Sequence, residues 1–281
     1  MLPIKTKKEL LKKLKELPSK GNLGLVPTMG ALHKGHGSLI ERAVLENDHV
    51  IVTIFVNPTQ FDNTDDLKKY PNTLDKDLKL IENISSNIFV FAPSIKEIYD
   101  DSVVSQTYDF HGLDKAMEGE FRDDHFNGVG TIVETLLRLI KPTKAYFGEK
   151  DFQQLRIIQK LTEIKNLPVE IIPCPIVREP HGLAMSSRNE RLTSQLRQKA
   201  SLIFETLQTA KEKFGTESAL YLREWVTDVF KSSSDLKLEY FDITDVETLT
   251  PTKTKLKNIK YRAFIAVYAG DVRLIDNIAL N

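Results

Sequence analysis

The sequence predicts an α/β protein in which a doubly wound parallel sheet is followed by a smaller α+β domain. Through the first 178 residues, short apolar runs alternate with helical patterns, which is typical of βαβ units. One run, Val50–Val56, is apolar at six of its seven positions, as expected of a strand buried on both faces of a parallel sheet. Beyond about Arg178, long helices are followed by strands with more alternation.

The first part of the chain supplies the elements of the parallel sheet. Thr6 and Glu9 form a capping-box pattern before a helix with leucines at helical spacing. Leu23–Pro27 predicts a strand that leads through a glycine turn to a helix beginning near His36. Later patterns predict helices at Asp75–Ile84, Val129–Ile140 and Phe152–Lys165, and strands at Ile88–Ala92, Ala145–Phe147 and Val169–Val177.

The second part of the chain predicts a different architecture. Helices are expected at Thr193–Phe214 and Glu217–Lys231, and strands at Lys237–Ile243 and Tyr261–Ala269. We therefore expect two successive domains, a Rossmann-like domain at 1–178 and a smaller, lid-like α+β domain at 179–281. In doubly wound sheets, ligands bind beyond the carboxyl ends of the strands.

The composition excludes several classes of function. Lysine and arginine number 39, equal to aspartate and glutamate, so no overall charge points to nucleic acid or to a membrane surface. No apolar stretch is long enough to span a bilayer, and the N-terminus has no signal-peptide core. The single cysteine, Cys174, lies in an apolar run and is expected to be buried. A cytoplasmic protein is the expectation.

One strand–turn–helix segment carries the first signal for chemistry, Pro27-Thr28-Met29-Gly30-Ala31-Leu32-His33-Lys34-Gly35-His36. Its two glycines permit close approach of a ligand, and the following helix offers free N–H groups to a phosphate. His33 and His36 are three residues apart and can face the same side. Two imidazoles there could donate hydrogen bonds to a phosphoryl group in transfer. The alternative is a pair that caps the helix or binds a metal.

Two later segments also suit phosphates, and three amides suit a small polyol acid. Gly148–Asp151 follows a strand and opens a helix that Asp151 could cap, so Lys150 can direct a compact charge at phosphates. Met185–Arg188 offers two hydroxyls and a guanidinium, which suit a triphosphate. Amides can donate to and accept from hydroxyls, and those at predicted strand or loop ends are Asn57, Gln60 and Gln154.

The motifs resemble those of a known family. His33-Lys34-Gly35-His36 resembles the HIGH motif of nucleotidyltransferases and class I aminoacyl-tRNA synthetases, and the longer segment resembles the pantothenate synthetase family in particular. Met185–Arg188 resembles the KMSKS loop of the wider superfamily. Further strings follow in that family's order, namely Phe55–Phe61, Tyr70–Thr73, His125–Val129, Phe147–Leu155 and Met185–Asn189.

The resemblance implies an ATP-dependent, AMP-forming carbon–nitrogen ligase. It would condense (R)-pantoate with β-alanine to pantothenate, a precursor of coenzyme A, through a pantoyl-adenylate. Mg²⁺ would arrive with ATP, and the chain would form a homodimer. The implied catalytic residues are His36, His33, Lys150 and Arg188. Gln60 and Gln154 would bind pantoate, and Gln60 would also contact β-alanine.

The resemblance also implies an extended ATP-binding surface in the first domain and at its boundary with the second. Its residues would be Met29, Gly30, Ala31, Leu32, His33, Lys34, Gly35, His36, Gly148, Glu149, Lys150, Asp151, Val177, Met185, Ser186, Ser187 and Arg188.

Two positions stand apart from this pattern. Asp77 could help to hold Mg²⁺ through water, although an exposed helical carboxylate is the stronger expectation, and no local metal cage is visible. The resembling family often has Pro-Gly between the residues equivalent to Arg122 and His125. This chain has Asp123-Asp124 instead, which leaves the conformation of this loop and the contact of Arg122 open.

Three alternative functions fit part of the pattern. A nucleotidyltransferase that adenylates a small phosphate ester would share the histidine motif, but the amides without a second basic pocket argue against it. A synthetase-like protein acting on tRNA would need a basic surface that the neutral composition does not predict. A nucleotide sensor without chemistry would not need both histidines together with Lys150 and Arg188.

Overall fold

The structure of the chain, a computed structural model, describes residues 1–18, 20–62 and 64–281. It divides into two compact units that are discontinuous in sequence. Unit 1 comprises Met1–Phe110, Arg122–Glu149 and Gln154–Pro175, and unit 2 comprises His111–Phe121, Lys150–Gln153 and Ile176–Asn281. The two successive domains expected from the sequence, 1–178 and 179–281, stay a prediction.

Unit 1 is built on a five-stranded parallel sheet. Its strands are β1 (Leu23–Thr28), β2 (His49–Ile54), β3 (Phe89–Phe91), β4 (Lys144–Gly148) and β5 (Glu170–Cys174). Their order in the sheet is β3-β2-β1-β4-β5, with parallel pairing between neighbours. The chain thus builds outward from β1 in both directions, and the switch point between β1 and β4 is where such sheets bind ligands. The predicted doubly wound sheet is confirmed.

Unit 2 contains a three-stranded antiparallel sheet in the order β6-β7-β8. The strands are β6 (Leu236–Asp245), β7 (Tyr261–Ala269) and β8 (Val272–Ala279). One face of this sheet packs against two long helices in a continuous apolar cluster that includes Leu207, Leu222 and Ile265. The expectation of a smaller α+β part of the fold is confirmed.

Helices occur in both units. They are α1 (Lys7–Glu16), α2 (Lys34–Glu46), α3 (Thr64–Lys69), α4 (Leu74–Ile84), α5 (Ile95–Tyr99), α6 (Glu118–Phe121), α7 (His125–Ile140), α8 (Phe152–Ile164), α9 (Ser194–Lys199), α10 (Ser201–Phe214) and α11 (Ala219–Lys231). Short 3-10 turns cover Pro58–Gln60, Glu149–Asp151 and Ser187–Arg191.

Most predicted elements are confirmed, with ends that differ by up to four residues. The capping box at Thr6 and Glu9 is present. The helix predicted at Thr193–Phe214 is wrong as one piece, because the bonding pattern is interrupted at Ala200, which ends α9 and precedes α10. β8 was not predicted, since Arg273, Asp276 and Asn277 interrupt its apolar pattern.

Two further expectations concern burial. Cys174 is buried, as predicted, and burial raises the pKa of its thiol. Among the residues that the structure describes, no helix is long and apolar enough to cross a bilayer.

A carboxylate fastens α2 to the central sheet of unit 1. Glu46, the last residue of α2, accepts hydrogen bonds from Arg42 Nε (2.8 Å), Tyr146 Oη (3.0 Å) and Lys144 Nζ (3.3 Å). The bond from Arg42 is the main reason that the pKa of Glu46 falls to about 2, whereas burial raises the pKa of Tyr146 to about 12. The link matters for the site because α2 begins at the histidine motif.

We expect Glu46→Gln to reduce the acid sensitivity of folding. Because the folded-state pKa is depressed, the stability that this carboxylate contributes is complete above its ordinary pKa of 4.5 and is lost as the pH falls toward about 2. The variant should lose about 1 kcal/mol or less of unfolding free energy at neutral pH, and its stability should fall less steeply within that window. Urea unfolding across the window measures both effects.

The matched control is Glu41→Gln, which changes an exposed residue of the same helix. It should retain the acid dependence of the wild type. An unchanged acid dependence in Glu46→Gln would show that the carboxylate does not fasten the helix.

Candidate active site

The backbone turns sharply between β1 and α2. Gly30 and Ala31 both have positive φ, 81° and 50°, and a β-carbon on Gly30 would lie 3.0 Å from both Asp77 Oδ2 and Ile54 Cγ2. Glycine adopts this conformation without strain, whereas an alanine there is unfavourable. The turn therefore needs an outside contact to hold it.

Asp77 provides that contact. Its Oδ2 accepts from the N–H of Ala31 (2.9 Å), and its Oδ1 accepts from the N–H of Leu32 (2.8 Å) and from Thr73 Oγ1 (3.1 Å). The expectation of an exposed carboxylate is wrong, because Asp77 is only 2 % exposed; α4 turns it inward, where two backbone donors satisfy its charge. Both oxygens face hydrogen-bond donors, so the residue does not fit the role of a magnesium ligand.

The two predicted histidines lie together at the start of α2. His33 is the N-cap residue, and the ring centroids of His33 and His36 are 4.1 Å apart. His33 Nδ1 accepts from the N–H of Gly35 (3.1 Å), and His36 Nδ1 accepts from the N–H of His33 (3.3 Å). A backbone N–H can only donate, so in the neutral rings both protons lie on Nε2. Capping of the helix is therefore shown, and it leaves the Nδ1 atoms as the acceptors.

Gln60 is buried at the end of the turn that follows β2. Its Oε1 accepts from Asn57 Nδ2 (3.2 Å), and its Nε2 contacts the sulfur of Met29 at 2.8 Å. Asn57 is itself 1 % exposed and also donates to the carbonyl of Gly128 (3.1 Å). The predicted amide at 60 is thus a fixed group beside the histidine-bearing turn.

The start of α7 holds Gln60 by its backbone. The carbonyl of Gln60 accepts from His125 Nδ1 (2.8 Å) and from Arg122 Nη2 (3.3 Å), and Arg122 Nη1 lies 3.2 Å from His125 Nε2. These bonds put the proton of His125 on Nδ1. Arg122 thus acts on Gln60 through its carbonyl, which settles the contact that the sequence left open.

The remaining candidates of unit 1 follow β4. Gly148 ends that strand and Glu149 begins the next short turn. Both lie at the carboxyl edge of the sheet, beside the switch point between β1 and β4. Gln154 lies in the first turn of α8 and is half-buried. The unit thereby carries the histidine pair, Gln60 and Gln154.

In unit 2, the predicted ATP-binding residues Val177 and Met185 lie side by side. The N–H of Met185 donates to the carbonyl of Val177 (2.9 Å), and Arg178 bridges to Ala184 in an antiparallel sense. The chain reverses between them at Gly182. This segment, Val177–Met185, forms a hairpin, the hairpin of unit 2.

The serine–arginine segment follows the hairpin directly. Ser186 Oγ accepts from the N–H of Arg188 (3.3 Å) and begins the short turn Ser187–Arg191. The buried amide of Asn189 donates to Glu179 Oε1 (2.7 Å) and to the carbonyl of Ala184 (3.1 Å). The turn is therefore bound to both sides of the hairpin.

Glu179 is the centre of this support. It is 9 % exposed and accepts from Arg197 Nε (2.8 Å) and Nη2 (2.8 Å) as well as from Asn189. Burial acts to raise its pKa, but the bonds from Arg197 and Asn189 outweigh that effect and hold the pKa below its usual value. The carboxylate therefore remains charged where it fixes the predicted phosphate-binding turn.

Lys150 and Asp151 belong to unit 2 as well. The Lys150 side chain is 20 % exposed and its Nζ lies 3.9 Å from Asp151 Oδ1. Its carbonyl accepts from the amide of Asn277 (2.8 Å). The predicted site residues are thus distributed over both units.

The supporting residues are those that sequence reasoning missed. Glu179, Asp276 and Asn277 lie outside the segments that carried the resemblance, or between them. Only Asp276-Asn277 had a local signal, since two adjacent polar residues stand in an otherwise apolar C-terminal stretch. Within the described part of the chain, no group of three or more His, Cys, Asp or Glu residues could hold a metal ion.

The chain is similar to proteins of known activity over its whole length. A family model described as "Pantoate-beta-alanine ligase" matches residues 3–279. The "Pantothenate synthetase" of Christiangramia forsetii is 56 % identical over 282 residues, covering 100 % of both chains.

Solved structures give the same result. The "Pantothenate Synthetase" of Thermus thermophilus has a TM-score of 0.90 at 35 % identity and covers 100 % of this chain and 99 % of its own. A "Pantoate-beta-alanine Ligase" of Francisella tularensis, solved with "Beta-gamma ATP and Beta-alanine", has a TM-score of 0.84 at 38 % identity, with coverage of 100 % and 98 %.

We expect Asp77→Asn to loosen the turn before α2. An amide offers one acceptor atom where the carboxylate offers two, so one buried N–H loses its partner, at a cost of about 1–3 kcal/mol. Urea unfolding measures that loss, and calorimetry of ATP binding should show weaker affinity with an unchanged dependence on Mg²⁺.

The control for this variant is Asp75→Asn, on the exposed side of the same helix turn. If both variants lose the same stability, or if Asp77→Asn alters the Mg²⁺ dependence alone, the assignment of Asp77 as the support of the turn is wrong.

We expect Gly128→Ala to displace Gln60. A β-carbon at this position would lie 2.2 Å from the carbonyl oxygen of Thr59 and 2.7 Å from the backbone nitrogen of Gln60. Because both are backbone atoms, the turn must move, at about 1–3 kcal/mol. Gly37→Ala is the matched helical control, since its β-carbon would find its nearest neighbour, Ile84 Cδ1, at 3.8 Å. Thermal unfolding and pantoate binding should be impaired only at position 128.

Proposed function

Because the chain belongs to the pantoate–β-alanine ligase family, we propose a mechanism in which its own residues activate pantoate with ATP and then release the pantoyl group to β-alanine. The enzyme joins pantoate and β-alanine at the expense of ATP. The reactive nucleophiles belong to the substrates. The protein therefore has to bind, orient and stabilise charge, which is how most phosphoryl and nucleotidyl transfer is catalysed.

In the first step, a carboxylate oxygen of pantoate attacks the α-phosphorus of ATP. The bond to the bridging oxygen breaks, and pyrophosphate leaves with the electron pair. His33 and His36 donate from Nε2 to the transferring phosphoryl oxygens. Lys150 and Arg188 balance the charge that develops on the leaving pyrophosphate. The product is a pantoyl-adenylate.

In the second step, the neutral amine of β-alanine attacks the pantoyl carbonyl carbon. The carbon–oxygen bond to phosphate breaks, AMP leaves, and the amine loses a proton to form the amide of pantothenate. Gln60 and Gln154 orient the pantoate hydroxyls and carboxylate, and Gln60 also contacts the incoming β-alanine. Its own fixation by Asn57 and Arg122 keeps it in one orientation.

The observation that carries this proposal is the hydrogen bonding of the histidine pair. Both Nδ1 atoms accept from backbone N–H groups, so both rings offer an N–H donor at Nε2 without protonation. Such preset donors cost no reorganisation as charge develops. The positive end of α2 adds to the attraction for phosphate.

The ATP-binding surface in this proposal comprises all the residues that the resemblance implied, from Met29–His36 through Gly148–Asp151 and Val177 to Met185–Arg188. Mg²⁺ arrives with the ATP phosphates, and no residue of the chain is assigned to it. The homodimer and the cytoplasmic location are part of the same proposal. Family membership favours the ligase over a nucleotidyltransferase that adenylates a phosphate ester.

The test is exchange of labelled pyrophosphate into ATP, with pantoate present and β-alanine absent. We expect exchange in the wild type, a loss of about 10²-fold or more in His36→Ala, and no loss in His49→Ala, a half-buried histidine at the start of β2. Absence of pantoate-dependent exchange in the wild type would reject the free adenylate.

Two further variants separate the roles of the ring nitrogens. A glutamine places its amide donor near the position of Nε2, whereas an asparagine places an acceptor near Nδ1. His36→Gln should therefore retain more exchange than His36→Asn. The reverse order would mean that capping of the helix, and not donation to phosphate, is the function of His36.

A further inference from the structure

The last strand of unit 2 contains two consecutive buried polar residues that the proposed mechanism does not use. Asp276 and Asn277, on β8, are 3 % and 1 % exposed. A buried carboxylate and amide are costly unless they are fully bonded. The hydrogen-bond partners of Asp276 and Asn277 therefore indicate which segments the two residues hold in place.

The two side chains point to opposite faces of the sheet, as successive strand residues do. Asp276 is in register with Ile265, which packs in the cluster formed with α10 and α11. Asn277 is in register with Phe264, whose ring lies 6.0 Å from that of Phe152. The pair can thus reach segments on both faces at once.

Asp276 holds the hairpin. Arg178 donates to both of its carboxylate oxygens, at 2.5 and 3.1 Å, and also to the carbonyl of Gly182 (3.1 Å). The guanidinium lies 3.7 Å from the ring centroid of Phe204. This forked and stacked arrangement fixes both the position and the direction of Arg178.

Asn277 holds the lysine segment. Its Nδ2 donates to the carbonyl of Lys150 at 2.8 Å, and its Oδ1 accepts from Arg262. Arg262 in turn lies 4.0 Å from the ring centroid of Phe152, two residues beyond Lys150. The backbone at the base of the Lys150 side chain is therefore tied to β8.

The two anchors are joined to each other. The backbone N–H of Asn277 donates to Asp276 Oδ1 (2.8 Å), so the Asp276 carboxylate is held by the backbone of the residue that binds the Lys150 carbonyl. Lys150 also acts electrostatically on Asp276. One strand end thus connects the hairpin that leads to Ser186–Arg188 with the segment that carries Lys150.

We propose that Asp276 and Asn277 are positioning residues that set the spacing between Lys150 and the Ser186–Arg188 turn to fit the triphosphate of ATP. The inference rests on the roles proposed for Lys150 and Arg188. Both cations lie on separate segments, so the spacing between them is set by how each backbone is held. Small errors in such spacing are costly, since a displacement of about 1 Å can reduce a rate by roughly 10²-fold.

The test uses the full-length enzyme and two nearly isosteric variants, Asp276→Asn and Asn277→Asp. The first removes the charge that holds Arg178, and the second removes the donor to Lys150. Arg178→Lys is a third variant that breaks the fork without touching β8, so the test survives if Asp276→Asn does not fold. Steady-state rates are measured with ATP varied, and separately with β-alanine varied.

The two β8 variants each have a matched control in the same unit. Asp242→Asn breaks the pair of Asp242 with Arg223 of α11, whose closest oxygen and nitrogen are 2.8 Å apart. Asn281→Asp removes an amide donor to the carbonyl of Ile259 (2.9 Å) just beyond β8. Both controls therefore change a polar contact of unit 2 on segments other than the hairpin and the Lys150 turn.

We expect KM for ATP to rise about tenfold or more in the test variants, while their KM for β-alanine stays within about twofold of the wild type. In both control variants, the two KM values should stay within about twofold of the wild type. Thermal unfolding of the test and control variants shows whether a variant has lost overall stability. If the ATP KM of the folded test variants matches that of the controls, or if ATP and β-alanine KM rise together, the positioning role is overturned.

The same assays distinguish a failure of the proposed function from a failure of this inference. A wild type that makes no pantothenate and AMP from pantoate, β-alanine and ATP would reject both the mechanism and this inference. An active wild type with unaffected test variants would reject the inference alone.

Discussion

The parallel sheet can use its switch point only if the chain leaves β1 through an unfavourable turn, and a single buried carboxylate holds that turn. Gly30 and Ala31 both have positive φ, a conformation that costs an alanine about 1–2 kcal/mol. Asp77 offsets the cost with two charge-assisted bonds to the next two N–H groups. The start of α2 is thereby placed directly beyond β1, with His33 as its cap. The donor tautomers of the histidines follow from that placement.

In unit 2, guanidinium–carboxylate pairs hold the loop segments that carry predicted site residues. Glu179 with Arg197 supports the Ser187–Arg191 turn, and Asp276 with Arg178 supports the hairpin before it. Apolar replacements of such pairs are often neutral or stabilising, so net stability is a weak reason to keep them. Directed bonds, unlike apolar contacts, specify where a backbone segment lies. The buried pairs are best understood as supports for position, and the groups assigned to chemistry extend from them.

The sequence predicted the strands well because a strand buried on both faces leaves a continuous apolar run, as at β2. It predicted the histidine turn because glycine, a strand end and a helix start coincide there. It could not place Asp77 correctly, since a carboxylate at an N-terminal helix position is exposed unless a distant segment supplies donors. β8 was missed because two polar residues, Asp276 and Asn277, interrupt its apolar pattern. These residues too are buried only because distant segments supply their hydrogen-bond partners. Long-range partners, not local pattern, decide such residues.

The loop before α7 keeps its contacts with Gln60 although this chain has Asp123-Asp124 where the resembling family often has Pro-Gly. The resembling family often has glycine where this chain has Asp124, and Asp124 adopts a positive φ of 55° at the start of α7. Aspartate is among the residues that accept this conformation, and its carboxylate also accepts from Asn127 Nδ2 (2.8 Å). Glycine is therefore dispensable at this point, because what must be preserved is the direction of the loop. That direction brings Arg122 and His125 onto the carbonyl of Gln60, so the substitution leaves the support of Gln60, the amide proposed to bind pantoate, intact.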